Sequence, residues 1–168
     1  MEISLRIASF EDLPKIVEIY NQTIPSRVVT ADLEPVGVED KKGWFYEHTH
    51  QRRPLWVVET GGRICGWVSL SSFYGRPAYD KTCEISIYLD ENYRGRGIGK
   101  KVLEKVLQEC PKYGVENLLA FIFSKNHASL KLFSAFGFEQ WGYFPGVADL
   151  DGESEDLVIL GKKITGAK

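Results

Sequence analysis

The chain has 168 residues, 21 of them Lys or Arg and 23 Asp or Glu, for a formal net charge of −2. That length suits one domain, 1–168, with a core of its own, and the near balance of charge offers no electrostatic footprint for nucleic acid or an anionic membrane surface. No stretch approaches the roughly 20 apolar residues of a membrane span, and Cys65, Cys83 and Cys110 lack metal-ligand spacing, so the chain reads as a reduced, cytoplasmic protein that uses no metal and whose partners are small molecules.

Ile3, Leu5 and Ile7 alternate and predict a first strand, and Ser9 and Asp12 stand in capping-box spacing before a helix bearing Leu13, Ile16, Val17 and Tyr20. Over residues 23–38 the pattern breaks between prolines. A segment of that length is either a solvated connector or part of a substrate site, and its Arg27 and Thr30 are candidates for closing one side of such a site. A second helix is expected over 38–49, with Trp44, Phe45 and His48 on its apolar face. Residues 55–59 and 63–70 read as strands joined at Thr60-Gly61-Gly62. The aromatic loop 71–80 follows, with Arg76 its fixed cation and Tyr79 beside it. A guanidinium among aromatics is suited to grip an anionic group in bidentate fashion, a solvated surface charge being the plain alternative.

Residues 82–99 organise the rest. Cys83, Ile85, Ile87 and Leu89 alternate with Glu84, Ser86 and Tyr88, which places Glu84 on the polar face of a strand. Arg94-Gly95-Arg96-Gly97-Ile98-Gly99-Lys100 then opens a helix whose apolar residues are Val102, Leu103, Val106, Leu107 and Cys110. The first N–H groups of a helix have no intrahelical partners, and with the helix dipole they form a phosphate site that glycines let a ligand approach. The Walker and dinucleotide spacings are both absent.

Tyr113-Gly114 ends that helix, 118–123 reads as a buried strand, and Asn126 to Ser129 opens a short helix with Leu130, Leu132, Phe133 and Phe136 before Gly137. Strands at 139–145 and 156–160, separated by an acidic loop at 149–155, complete the pattern, with no repeat or linker to mark a second domain.

The R-x-x-G-x-G of Arg94 to Gly99, directly after a strand carrying a glutamate, resembles the acetyl-CoA loop of the GCN5-related N-acetyltransferases (GNAT). Asn126-x-x-Ser129 with Leu132, Gly137 and Phe138 looks like the second cofactor element of that superfamily. The order β-α-α-β-β-β-α-β-α-β-β is similar to its acyl-CoA acyltransferase fold, an α/β architecture with a single mixed, mostly antiparallel sheet flanked by helices. More narrowly, A-Y-D-x-T-x-E-x-S-x-Y from Ala78 to Tyr88, preceded by Arg76, resembles the phosphinothricin acetyltransferase branch, which also acylates methionine sulfone and sulfoximine.

The resemblance implies an acetyl-CoA-dependent N-acetyltransferase of a small amino-acid-like amine, working as a homodimer. By position it implies that the backbone of Ile87, Tyr88 and Leu89 pairs with the pantetheine arm, and that residues 95–100, Ile98 included, hold the pyrophosphate near Arg94 and Arg96. Asn126, helped by Ser129, bonds the pantetheine, and Glu84 is the base; the candidates for binding the acceptor, read from the aromatic loop and the broken segment themselves, are Arg76, Tyr79 and Thr30, for which a plain structural or surface role is the alternative. The chain departs from many relatives in carrying Phe133 where a phenol protonates the departing thiolate, which leaves the general acid unassigned, with water as a substitute. It departs from herbicide-detoxifying enzymes in carrying Asp149, Glu153 and Glu155 where they have histidines. The alternatives are acetylation of another amine, such as a peptide N-terminus or a polyamine, and a non-catalytic acyl-CoA-binding module, against which Glu84 argues.

Overall fold

The computed structural model describes residues 1–164. Seven strands form one sheet in the order β1-β2-β3-β4-β5-β7-β6, where β1 is Ser4–Ile7, β2 Leu55–Thr60, β3 Arg63–Ser72, β4 Thr82–Leu89, β5 Asn117–Phe123, β6 Glu139–Leu150 and β7 Glu153–Lys163. Every neighbouring pair is antiparallel except β4–β5, which needs a crossover and obtains it from helix α3, Ile98–Glu109.

Both faces of the central strands are covered, which is why Leu55 to Val58 are four buried residues in a row and do not alternate with polar ones. On one face α3 lays down Ile98, Val102, Leu103 and Val106 against Val68, Leu70, Cys83, Ile85, Leu118 and Ala120. On the other face α1 (Leu13–Asn21) packs Ile16 and Ile19 on Leu55, Val57 and Trp67. The short α2 (Lys42–Glu47) adds Trp44 and Phe45 there. The capping box at Ser9 and Asp12 is formed, the Ser9 N–H donating to Asp12 Oδ2 at 2.7 Å. Arg6 holds the Asp12 carboxyl below its ordinary range against the opposing effect of burial.

Several predicted bounds shift. The helix expected over 38–49 is a 3-10 turn followed by only six α-helical residues, ending before His48, whose backbone is extended. The last two strands are far longer than expected. Residues 149–155 are mostly strand, and the turn is tight at Asp151-Gly152, with Asp151 at φ 57° and Gly152 at φ 87°. The acidic side chains that suggested a solvated loop serve locally. Asp149 Oδ1 accepts from the Gly152 N–H at 2.6 Å, and buried Glu155 accepts from Ser124 Oγ at 2.5 Å and from the Lys125 N–H at 3.2 Å. Gly161 is required by close approach: a Cβ there would meet the Trp141 ring at 2.0 Å.

Candidate active site

Strand β4 sorts its side chains as alternation dictates. Cys83 and Ile85 go to the α3 side, while Glu84, Ser86 and Tyr88 face α1 and α2, opposite Ser71, Ser69 and Trp67 of β3. The Tyr88 ring stacks on Trp67 at 4.6 Å. On its other edge β4 pairs with β5 only at Thr82↔Asn117, Cys83↔Leu118 and Glu84↔Leu119. Beyond Glu84 the two strands part, so Ile85 to Leu89 face a wedge with no ladder partner on that side. Backbone groups without a ladder partner are costly when dry, and here this edge of β4, where the Leu89 carbonyl accepts from Arg94 Nε at 3.2 Å, lines a groove walled by Ile87, Tyr88, Leu89, Arg94, Gly99 and, from helix α4 (His127–Ala135), Ser129, Leu132 and Phe133.

The groove runs onto the N-terminus of α3. Asp90, buried, caps the preceding turn by accepting from the Asn92 N–H at 2.9 Å and is fixed by Lys15 at 3.1 Å, which with the Asn92 bonds draws its carboxyl down against burial. Gly95 and Gly97 have φ of 75° and 76°, a left-handed conformation that β-carbons oppose, and Gly97 is the N-cap of α3. Nothing lies within 4 Å of where a Gly97 Cβ would be, which leaves open space over the first-turn N–H groups of Ile98, Gly99 and Lys100. Arg94, Arg96 and Lys100 are exposed around it. The Ile98 side chain itself is buried in the core, so only its backbone is available to a ligand. Across the groove, Asn126 is buried and N-caps α4, its Oδ1 accepting from the Ser129 N–H at 3.2 Å. Its amide NH2 makes no hydrogen bond with any described residue. Together these groups fit an elongated ligand with an amide-bearing arm and a pyrophosphate.

Glu84 lies where the strands begin to part and lines a cavity shared with Thr30, Tyr88, Phe121, Phe123 and Val147. Burial alone pushes its carboxyl above the ordinary glutamate range, and no hydrogen bond to a described residue offsets it. A carboxylate so placed is poised to accept a proton. Thr30 is buried, within 2.5 Å of the Tyr20 hydroxyl, which in turn donates to Asp32. Burial, with the charge of Glu84 adding to it, pushes the Tyr88 phenol up to about 12 against a Thr30 hydrogen bond that lowers it. Segment 23–38 is tied down over this cavity: Arg27, at φ 59°, reaches Asp151 of the β6–β7 turn at 2.6 Å and the Leu33 carbonyl at 2.7 Å.

Arg76 and Tyr79 lie elsewhere. Arg76 precedes a 3-10 turn at Pro77–Tyr79 on an exposed loop and makes no ion pair with a described residue. Tyr79 packs on Phe73 and Tyr74 with ring centroids 5.6 Å away. Neither lines the Glu84 cavity, although the loop is anchored at that end of β4 by buried Arg53, which donates to Ser72 Oγ and the Asp80 carbonyl, each at 2.8 Å. Phe133 stands in the groove wall with its ring against Phe138 at 5.0 Å, and Tyr88 brings a phenol to the groove from the sheet side. Asp32, Phe121 and Phe123 were not singled out from the sequence, and Tyr20 stood there only as part of a helix's apolar face. The alternation of Leu119, Phe121 and Phe123 was the available signal for the last two. Among the described residues no group of three or more His, Cys, Asp and Glu side chains could hold a metal ion, and no helix is long and apolar enough to cross a membrane.

The profile of the "Acetyltransferase (GNAT) family" matches residues 13–138. A Bacillus subtilis (strain 168) protein named "Putative phosphinothricin acetyltransferase YwnH" is 51% identical over 164 residues, covering 97% of this chain and all of that one. An L-methionine sulfoximine/L-methionine sulfone acetyltransferase of Pseudomonas paraeruginosa is 29% identical, covering 95% of this chain and 94% of its own. The crystal structure of a phosphinothricin acetyltransferase from Sinorhizobium meliloti in complex with AcCoA superposes with a TM-score of 0.90 at 30% identity, covering 98% of this chain and 89% of that one.

Proposed function

The chain belongs to the acetyltransferase (GNAT) family and is an acetyl-CoA-dependent N-acetyltransferase, and on that premise we propose that its acceptor is the α-amine of a small amino acid or amino-acid analogue, with Glu84 as the base. The names of the B. subtilis and P. paraeruginosa relatives support this substrate class. The observation that carries the reading is Glu84 itself, a half-buried carboxylate without a hydrogen-bond partner among the described residues, at the point where β4 and β5 part.

Acetyl-CoA, when bound, supplies the acetyl group as an activated thioester. The β4 edge at Ile87, Tyr88 and Leu89, which the β5 ladder leaves uncovered, would bond its pantetheine arm, with the Asn126 amide and Ser129 opposite. The N–H groups of Ile98, Gly99 and Lys100 hold the pyrophosphate, approached over Gly95 and Gly97, with Arg94 and Arg96 adding charge. An α-amine with a pKa of about 8 arrives largely as ammonium, and Glu84 removes its proton directly or through one water. Tyr88, whose phenol is pushed up to about 12 and stays protonated at physiological pH, could serve the departing thiolate as a neutral donor and not as a base. Thr30 lines the Glu84 cavity, whereas Arg76 and Tyr79, on the exposed loop that leads into β4, would meet the acceptor's acidic head only where it extends out of that cavity toward the loop.

The edge strand β6 exposes Trp141, Tyr143, Phe144 and Val147. A row of large apolar side chains on a sheet edge supports a homodimer, and the reduced buried cysteines support a cytoplasmic location. A thiol-release assay with acetyl-CoA and a panel of amino acids, sulfones, phosphinates and polyamines tests the acceptor. Turnover with polyamines alone overturns the amino-acid reading.

A further inference from the structure

Among the described residues the buried charged side chains are Asp12, Arg53, Asp90 and Glu155. A buried charge is costly unless it is bonded, and each of the first three pins a segment: Asp12 closes the capping box with Ser9, Arg53 anchors the loop that leads into β4, and Asp90 caps the turn before α3. Glu155 on β7, only 2% exposed, lines neither the groove nor the Glu84 cavity. It pins the turn between β5 and α4. Ser124 Oγ and the Lys125 N–H donate to its Oε1 at 2.5 and 3.2 Å, and Lys125 Nζ lies 3.3 Å from its Oε2. Burial pushes this carboxyl up, but the bonds from Ser124 and Lys125 outweigh burial and hold it below the ordinary glutamate range, so at neutral pH Glu155 is an anion. The next residue of β7 adds a backbone bond, the Ser124 N–H donating to the Asp156 carbonyl at 3.0 Å.

The turn that these bonds hold is minimal. The His127 N–H donates to the Lys125 carbonyl at 2.9 Å around Asn126, whose φ of −82° and ψ of 71° are those of an inverse γ-turn. Lys125 is the first residue of that turn, so the way Lys125 is seated sets the direction in which the Asn126 side chain leaves the chain. Asn126 Oδ1 is spent on the Ser129 N–H, which leaves the NH2 for the groove. A single amide donor serves a ligand only when its own support is fixed by a further shell of bonds. Capping α4 accounts for Asn126 Oδ1, and closing the β5–α4 corner needs no buried anion; the aim of the NH2 is what the seat under Lys125 determines.

We propose that Glu155 is a positioning residue for the co-substrate: by seating Ser124 and Lys125 it aims the Asn126 amide at the pantetheine arm, without touching acetyl-CoA itself. This rests on the reading of the groove given above and adds a residue outside the groove on which the Asn126 contact depends.

Calorimetry with CoA and with the phospho-ADP half of CoA, which carries the pyrophosphate and no pantetheine, separates this role from a general one. Glu155→Ala should weaken CoA binding about 3- to 10-fold, the worth of one hydrogen bond, and leave the phospho-ADP affinity unchanged, because the N-terminus of α3 does not depend on the β5–α4 turn. Glu155→Gln keeps an oxygen for the Ser124 and Lys125 donors and should restore the CoA affinity to near the wild-type value. In an Asn126→Ala background, Glu155→Ala should add nothing to the loss, since the amide that it aims is gone. An equal loss for both ligands, full additivity of the two substitutions, or unchanged CoA affinity in a folded Glu155→Ala protein overturns the proposal. Should circular dichroism show Glu155→Ala unfolded, Ser124→Ala, which removes one of the two donors to Oε1, takes its place in the same comparisons. Wild-type protein that binds CoA no more tightly than phospho-ADP overturns the groove reading and this inference together, whereas a wild-type preference for CoA that survives Glu155→Ala overturns this inference alone.

Discussion

Replacing Glu84 by Gln should separate activity from stability in opposite directions. The substitution keeps shape and removes only the ability to take a proton. A positioned base contributes roughly 10²- to 10⁴-fold, or about 2.7–5.4 kcal/mol of transition-state free energy, so kcat at pH 7.5 should fall at least 100-fold while the affinity for acetyl-CoA, whose groove does not depend on the carboxylate, stays within about twofold. The stability effect has the other sign. Burial, with no compensating partner, raises the folded-state pKa of this carboxyl above its unfolded value. Between those two values the folded state binds more protons than the unfolded state, so the free energy of unfolding declines as pH rises through that window and stays lower above it. A neutral glutamine escapes that loss. The variant should therefore melt at or above the wild-type temperature at pH 8, and its advantage should vanish as the pH is lowered below the ordinary glutamate range. The same raised pKa places the acid limb of the wild-type kcat/KM profile above that range. Stopped assays of thiol release across pH, with thermal melts in the same buffers, measure both. A variant with wild-type kcat across the profile removes Glu84 from the chemistry. A variant much less stable at pH 8 refutes the account of an uncompensated, half-buried charge.

Gly97→Val places a β-branched residue at φ 76° with no steric neighbour, so the cost is backbone strain, about 1–2 kcal/mol in the left-handed region, together with loss of close approach; calorimetry should show acetyl-CoA affinity down at least 10-fold in a folded protein. Arg76→Ala should raise KM about 10-fold for carboxylate-bearing acceptors and leave their amides unaffected, and equal kcat/KM for an amino acid and its amide in both proteins would move the anion grip elsewhere. Asn126→Ala removes a helix cap and a groove donor at once, so the midpoint of denaturation should reflect a loss of about 0.5–2 kcal/mol along with weaker acetyl-CoA binding; a stability loss alone would confine Asn126 to capping. Tyr88→Phe should lower kcat less than 10-fold if water can protonate the departing thiolate, whereas a loss as deep as that of Glu84→Gln would assign the proton to the phenol.

The order of strands and helices was legible because each long element carries its own period: alternation through residues 82–89, helical spacing from Val102 to Cys110, a capping box at Ser9 and a glycine stop at Gly114. What failed to show were features set by partners distant in sequence. The parting of β4 from β5 after Glu84 is a property of two strands 35 residues apart in register, and neither strand alone announces it. The β6–β7 ribbon was read too short because its acidic residues look like loop, whereas cross-strand pairs such as Ala148↔Glu155 and Leu150↔Glu153 keep it extended. The proposed site residues most easily read are those argued from backbone conformation, Gly95, Gly97 and the first turn of α3. Tyr20 was harder to read: it sits at helical spacing from Ile16 and looked like core, yet its hydroxyl organises Thr30 and Asp32 over the Glu84 cavity.

The open wedge between β4 and β5 bears on how long the protein survives in a cell. A sheet interrupted at its centre has backbone amides that exchange with solvent and strands that separate more readily than their neighbours, so local opening, and with it attack by proteases, should begin there. A co-substrate held in that wedge, as proposed, would close the interruption, and at a free concentration a hundred times its dissociation constant it would add about 2.7 kcal/mol to the folded state. The half-life of this enzyme under a fixed protease should therefore lengthen as acetyl-CoA is added.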